Sequence, residues 1–440
     1  MHNSDLFVNW FRDSSPYIHA HRNRTFVIYF GGEAVLDDSL HNLIHDFALL
    51  NSLGIRLVLV HGIRPQIDQR LQAQNKQSQF HQQLRITDES ALQCAKESAG
   101  LVRVEIESLL SLGVANSPMA GAKVRVISGN FVTAQPLGVH DGIDFQYTGK
   151  VRRIDHTAIH QQLDLGHVVL ISPVGYSPSG ELFNLSAEQV ATEIAIALQA
   201  EKLILMTEQS CQTAETGQLI AQMTSAETQY LCECEHEPQP QLAASTKCAL
   251  QSAIYGCQAG VKRVHILNRK VDGALLIELF SRDGIGTLIS STEFETIRPA
   301  LLSDIPGILE LITPLEQQGL LIARSVEHLE ININDYIVID RDGLIIGCTA
   351  LHKIAQQAGL IACLAVHPDY RRAARGNHLL EQLHSKAKQD SLKQLFALST
   401  QTMHWFKEHG FHDIAFQDLP QSLQKNYNHL RNAKALKINT

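Results

Sequence analysis

Short apolar runs alternate with amphipathic stretches through the first 290 residues. Thr25–Phe30 (TFVIYF) is an unbroken apolar run of strand length, ended by Gly31-Gly32. It predicts a strand buried on both faces. Ser39–Leu53 places apolar residues at 40, 43, 44, 47, 50 and 53, the period of a helix with one buried side. Gly54 ends that helix, and Arg56–Val60 (RLVLV) predicts the next strand, closed by His61-Gly62. Strand, helix and strand within about 35 residues make a βαβ unit, whose strands must pair in parallel. The pattern recurs as strand His167–Ser172, helix Ala187–Gln199 and strand Lys202–Met206. It returns once more as helix Cys248–Ala259, strand Arg263–Leu267 and helix Gly273–Phe280. The fold class expected for 1–290 is α/β, a three-layer sandwich around a mostly parallel sheet. Gln209–Thr246 is polar and reads as a long insertion, a hairpin or flexible loop without chemistry.

Ser281–Thr296 is the expected domain boundary, a glycine-containing segment followed by a polar one. The pattern then changes: helix Asp304–Glu316, strand Tyr336–Asp340, a turn at Asp342-Gly343 and the return strand Leu344–Leu351. Strand Leu360–Val366, helix Asn377–Gln389, strand Gln394–Leu398 and helix Met403–His409 follow. Antiparallel strands followed by a strand–helix–strand unit predict an α+β domain over 296–440.

Composition narrows the function classes. The 440 residues are 44% hydrophobic and 19% charged, which suits globular domains and excludes a largely disordered chain. A formal charge of −8 argues against general nucleic-acid binding. No apolar run approaches the roughly 18 residues of a membrane span, and the N-terminus lacks the pattern of a secretory signal. A cytoplasmic protein is expected. Eight cysteines spread along the chain read as reduced thiols. Cys232, Cys234 and His236 cluster, but CxC is not the usual zinc spacing, and a surface loop is the preferred reading. His41/His45 and His156/His160 have helical spacing without the Glu of HExxH and read as solvated helix positions. No metal is expected.

The segment Ile361–Leu380 (IACLAVHPDYRRAARGNHLL) runs from an apolar strand through three arginines into a helix opening near Gly376. Unpaired N–H groups at such a helix start suit a pyrophosphate. Arg371, Arg372 and Arg375 would add positive charge, and Gly376 would let the backbone approach. A solvated basic turn is the alternative. The segment resembles motif A of the GNAT acetyltransferases, [Q/R]xxGx[G/A], with Ala374 in place of the first glycine and Gly376 at the second. That resemblance implies main-chain pairing of Cys363, Leu364, Ala365 and Val366 with the pantetheine arm of acetyl-CoA. Met403–Phe411 resembles the family's motif B helix. Its usual tyrosine, often the general acid, is Phe406, so a different acid is required.

Nearly the whole chain resembles the bacterial N-acetylglutamate synthases. The matching stretches include FGGEA at 30–34, LLNSLGIRLVLVHGIRPQID at 49–68, SGNFVTAQPLGV at 128–139, DGALLIELFSRDGIGT at 272–287, ACLAVHPDYR at 362–371 and HWFKEHGF at 404–411. The resemblance implies an amino-acid-kinase-like regulatory domain over 1–290 and a GNAT domain over 296–440. It implies acetyl transfer from acetyl-CoA to the α-amine of L-glutamate, the first step of arginine biosynthesis, with feedback by L-arginine. By the same resemblance Arg324 holds the substrate's α-carboxylate, Arg431 its side-chain carboxylate, and Ser399 protonates the leaving thiolate. Ala433 stands where the family commonly has a serine. One departure touches the chemistry. The family reads GE[IM]AC, its glutamate serving as general base, whereas this chain reads Gly359-Leu360-Ile361-Ala362-Cys363. Leucine cannot accept a proton, and His352 is the nearby candidate. An arginine- or CoA-binding regulatory protein with weakened transferase activity is the rival reading.

Amino-acid kinases carry a lysine two residues before the glycine pair, and here Tyr29 stands there. Their NxxxDxxA motif appears as Asn184 to Ala191, with Glu188 for the aspartate. A phosphotransferase such as acetylglutamate kinase is therefore not expected. The resemblance implies an arginine site at Tyr17, Lys202, His265, Glu278, Gly284 and Gly286. Without it, Glu278 reads as a helix-surface charge. The family's interlocking N-terminal helix, Leu6–His21 here, implies a homo-oligomer, a hexamer. Neither nucleic acid nor membrane is an expected partner.

Overall fold

The computed structural model describes residues 2–111, 124–213, 216–233, 244–281, 283–291, 295–341, 343–371, 375–425, 427 and 433–439. They form two compact units, Met1–Thr292 and Glu293–Thr440. The first is built on an eight-stranded sheet. Its strand order is Gln222–Thr224, Thr287–Ser290, Val264–Asn268, Lys202–Thr207, Thr25–Phe30, Arg56–His61, Val168–Ile171, Val126–Ile127. All neighbours pair in parallel except Val264–Asn268 with Thr287–Ser290.

The central strands Thr25–Phe30, Arg56–His61 and Lys202–Thr207 are apolar between their first and last residues because both faces are covered. Val27, Tyr29, Val58, Val60, Leu203 and Leu205 point into a cluster with the helix Ala187–Ala197. Phe26, Ile28, Phe30, Leu57, Leu59 and Ile204 point the other way, toward Leu40–Ser52, Glu89–Ser111 and Ala274–Phe280. The period-two sorting of side chains thus sets the three layers. A second sheet of four short strands flanks this core, in the order Leu182–Asn184, Val174–Tyr176, Val132–Pro136, Gly149–Ile154.

The stretch Gln209–Thr246 departs from the expected loop. Gln222–Thr224 completes one edge of the large sheet and Ser225–Glu233 is a helix, anchored by buried Met223 and Thr228. Cys232 is half-buried against the core, while Cys234 and His236 lie outside the described residues. His41, His45 and His156 are exposed, and His160 is half-buried. No group of three potential metal ligands occurs among the described residues. No helix among them is long and apolar enough to cross a membrane.

The second unit is a seven-stranded sheet in the order Glu295–Pro299, Tyr336–Arg341, Leu344–Ala355, Ala358–Val366, Gln394–Ser399, Lys434–Asn439, His412–Asp413. Its neighbours are antiparallel except for Ala358–Val366 with Gln394–Ser399. The helix Arg375–Gln389 makes that one parallel crossover and buries Leu379, Leu380 and Leu383. Ile305–Gln317 packs Ile308, Leu311 and Ile312 into a separate cluster with Val338 and Ala350.

Candidate functional site

The strand Ala358–Val366 loses one neighbour halfway along. It pairs with Leu344–Ala355 as far as Val366, but its parallel pairing with Gln394–Ser399 ends at Ile361↔Ala397. A register shift at Cys348/Ala350 and a left-handed Cys363, at φ 54°, mark a bulge there. Main-chain groups of Ala362–Val366 are left without that ladder, and such groups demand another partner. The gap opens into a cavity of about 1160 Å³.

Cys363, Leu364, Ala365 and Val366 line this cavity together with Arg371, Gly376, Ser399, Thr402, Arg324 and His352. Gly376 lies in the first turn of the helix Arg375–Gln389. A Cβ there would lie 3.3 Å from the Trp405 ring, so glycine keeps the helix start open. Arg371 is exposed and directs Nε at the Val366 carbonyl, 3.5 Å away. Arg375 is not in the cavity wall. Its guanidinium pairs with Glu295, donates to the Tyr370 carbonyl and lies 5.4 Å from the Tyr370 ring centroid. Through these contacts it braces the loop. Arg372, Ala374 and Arg431 lie outside the described residues.

Also in the cavity wall, Arg324 donates from Nη1 to the Ile322 carbonyl at 2.7 Å, and its buried Nε has no hydrogen-bond partner among the described residues. A guanidinium held this way has donors left for a carboxylate. Ser399 Oγ lies 2.8 Å from Thr402 Oγ1 and accepts from the Thr402 N–H at 3.0 Å. Thr402 escaped the motif comparison; its only sequence signal is a hydroxyl three residues after Ser399. Phe406 is 5% exposed among core side chains and offers no proton. His352 lines the wall directly across the ladder from Leu360.

A second constellation occupies the first unit. Glu278 sits on the helix Ala274–Phe280, yet its side chain is only 6% exposed, which corrects the surface-charge reading. Its Oε1 accepts from His265 Nδ1 at 2.6 Å, and Oε2 accepts from the Ile285 and Gly286 N–H groups at 2.8 Å each. Gly284 has φ 61°, and a Cβ on it would lie 2.4 Å from Glu278 Oε2, so the loop can wrap the carboxylate only as glycine. Burial works to raise the Glu278 carboxyl, but these hydrogen bonds hold it below its ordinary value. Lys202, also buried, reaches His265 Nε2 at 3.3 Å. Tyr17 and His21 come from the N-terminal helix, which docks by the Ser14 hydroxyl on the Phe280 carbonyl and by His21 Nε2 on the Leu279 carbonyl.

His21, His61 and His265 are each lowered to about 4, chiefly by burial, with Lys202 next for His21 and His265. The fold holds them neutral, whereas an unfolded imidazole takes up a proton below about 6.5. Their contribution to stability is complete above that value and is lost as pH falls toward about 4. Asp46, raised to about 7 by burial and then by Asp272, works the opposite way and offsets part of it. Melting of the first unit's core, followed by near-UV circular dichroism, is expected at lower temperature at pH 5 than at pH 7. An equal or higher melting temperature at pH 5 would contradict neutral burial of the three imidazoles.

Where a kinase would hold a cation, the Tyr29 hydroxyl donates to Glu188 Oε1 at 2.8 Å, and the Ser186 hydroxyl donates to Glu188 Oε2 at 2.9 Å. Burial, and then Glu188, push the Tyr29 phenol well above its ordinary value. A neutral phenol beside a carboxylate gives a phosphoryl group nothing to bind.

Comparison with known proteins agrees with both units. Residues 24–268 match the amino acid kinase family, and 332–413 match the acetyltransferase (GNAT) domain. The amino-acid acetyltransferase of Azotobacter vinelandii is 48% identical, covering 97% of this chain and 98% of its own length. That of Escherichia coli K12 is 46% identical over 98% and 97%. The crystal structure of N-acetylglutamate synthase from Neisseria gonorrhoeae, complexed with coenzyme A and L-arginine, superposes with a TM-score of 0.88 at 39% identity. That match covers 98% of this chain and 99% of the other. The same protein complexed with coenzyme A and N-acetylglutamate gives 0.63 at 40% identity over the same shares.

Proposed function

The chain belongs to the amino-acid acetyltransferases of the N-acetylglutamate synthase type, and from that premise we propose how its residues divide the work. The cleft of the second unit takes acetyl-CoA and L-glutamate. The single observation that carries this is the half-unpaired strand Ala362–Val366 opening into a cavity lined by both Arg324 and the helix start at Gly376. The free edge of Ala362–Val366 adds the pantetheine arm as a strand. The N–H groups around Gly376, with Arg371, hold the pyrophosphate. Arg324 binds the glutamate α-carboxylate through the fork of its guanidinium. Glutamate's amine attacks the thioester carbonyl, the C–N bond forms and the C–S bond breaks. Ser399, in hydrogen-bond contact with Thr402, protonates the departing thiolate, and the proton shed by the acylated nitrogen restores the serine.

Glu278 receives the guanidinium of free L-arginine in the first unit, next to Lys202, His265 and Tyr17. A ligand there alters turnover only by binding one state of the protein better than another. The enzyme works as a homo-oligomer, a hexamer, in the cytoplasm.

The acceptor test is thiol release from acetyl-CoA with a panel of amino acids. Glutamate is expected to support turnover and glutamine, which keeps the shape but lacks the second charge, to fall well behind. Equal rates with glutamine, or turnover with lysine alone, would overturn this reading of the cleft.

A further inference from the structure

A carboxylate is absent from position 360, yet an ammonium substrate must still lose a proton before it can attack. The acidic and basic side chains lining the cavity are Arg324, His328, Asp335, His352, Lys353 and Arg371. Arginine and lysine are already protonated at neutral pH. His328 is held below its ordinary value by desolvation, then by Arg324 and His352, and no hydrogen bond to its ring fixes it among the described residues. His352 differs from it in one respect: its Nδ1 lies 2.7 Å from Asp335 Oδ2. A carboxylate can only accept there, so Nδ1 carries the hydrogen and Nε2 keeps the lone pair. No hydrogen bond engages Nε2 among the described residues.

The surroundings hold the ring in that orientation. The Tyr336 ring lies edge-on with its centroid 6.0 Å away, and the His328 ring does so at 6.4 Å. Leu360 stands directly opposite on the neighbouring strand, so His352 and the position of the missing carboxylate share one face of the sheet.

We propose that His352 is the general base of this enzyme and that Asp335 is the positioning residue that fixes its tautomer. This rests on the acetyltransferase reading above and replaces the carboxylate at position 360 with an imidazole approaching from the adjacent strand. His352 Nε2 takes one proton from the glutamate ammonium and passes it to solvent. The freed amine attacks the thioester carbon. The second proton carried by the new C–N nitrogen balances the one that the Ser399–Thr402 pair delivers to the coenzyme A sulfur. Glutamate and acetyl-CoA thus yield N-acetylglutamate, free coenzyme A and one released proton, with no further reactant.

The test is the pH–rate profile of the full chain between about pH 6 and 9, a span that brackets the ordinary imidazole value. In H352Q, kcat is expected to fall about 10²–10⁴-fold at neutral pH, with the rate then rising tenfold per pH unit as free amine accumulates. The KM for acetyl-CoA is expected to change less than about threefold. In D335N, kcat is expected to fall at least about tenfold, because the ring loses the partner that fixes its tautomer. Adding L360E to H352Q is expected to return at least about a tenfold part of the loss. An H352Q variant within about threefold of wild type, with an unchanged inflection, overturns the proposal. A wild type that makes no N-acetylglutamate at any pH contradicts the acetyltransferase reading instead. The tautomer decides on His352 independently of turnover, by long-range ¹⁵N NMR of histidine-labelled protein. Nδ1–H in the wild type and its loss in D335N support the pair; Nε2–H in the wild type overturns it.

Discussion

Arg324→Ala is expected to lower kcat/KM for glutamate on the order of a hundredfold while leaving acetyl-CoA binding near its wild-type value. Arg324 lines the cavity, its Nη1 donating to the Ile322 carbonyl and its Nε without a hydrogen-bond partner among the described residues. A hydrogen bond to a charged group contributes about 1.5–3 kcal/mol, and a forked pair to a carboxylate makes two of them. Removing both costs about 3 kcal/mol, or roughly a factor of 150. Arg324→Lys keeps the charge and loses the fork, so its loss is expected to fall between the two. Steady-state kinetics with each substrate varied in turn check this. A glutamate kcat/KM unchanged in Arg324→Ala would place the α-carboxylate elsewhere.

Glu278→Gln is expected to raise the arginine concentration for half-inhibition by more than about thirtyfold. The carboxylate already accepts three hydrogen bonds, from His265 and two backbone N–H groups, but two oxygens offer about four lone-pair sites. The remaining capacity, and the negative charge, are what a guanidinium seeks. Glutamine keeps one acceptor oxygen for the Gly284–Gly286 loop and removes the charge. Glu278→Ala is the harsher change: it strands three buried donors at about 1–3 kcal/mol each, so its melting temperature is expected to fall as well. The arginine response is read as the ratio of rates with and without effector in the same variant. An unaltered arginine titration in Glu278→Gln would move the effector site away from this carboxylate.

Both sites bear on what a sequence makes legible. The parallel core is readable because strands buried on both faces carry apolar interiors; Thr25–Phe30 occupies the range that its pattern predicts. Amphipathic periodicity likewise located Leu40–Ser52 and Ala187–Ala197. The helix Arg64–Ala73 was hidden because only Gln66, Ile67 and Leu71 are buried on it. The edge strand Gln222–Thr224 was hidden because one methionine anchors it in a polar stretch.

The sites divide in the same way. Residues 363–366 and Gly376 belong to one local motif, Arg324 and Ser399 follow from the wider family resemblance, and all of them meet in one cavity. Arg375 belongs to the same motif, but its partner Glu295 is 80 residues away, and only the folded sheet shows that its guanidinium is already engaged. Without the family resemblance Glu278 reads as a surface charge, because a seven-residue helix shows too little periodicity to place one glutamate inward. Asp335 is 17 residues from His352 and reaches it through the hairpin that turns at Gly343. A register shift at Ile339/Asp340 moves the pairing by one position, so counting back from the turn misplaces the partner.

The most direct measurement is the rate at which the full chain forms N-acetylglutamate from acetyl-CoA and L-glutamate, followed by product mass and thiol release together, across an arginine titration. The expected result is one coenzyme A freed per N-acetylglutamate, and a rate that falls saturably as arginine rises. Coenzyme A released without N-acetylglutamate, or a rate of its formation indifferent to arginine at any concentration, would contradict a chain that joins an acetyl-transfer cleft to an arginine-sensing unit.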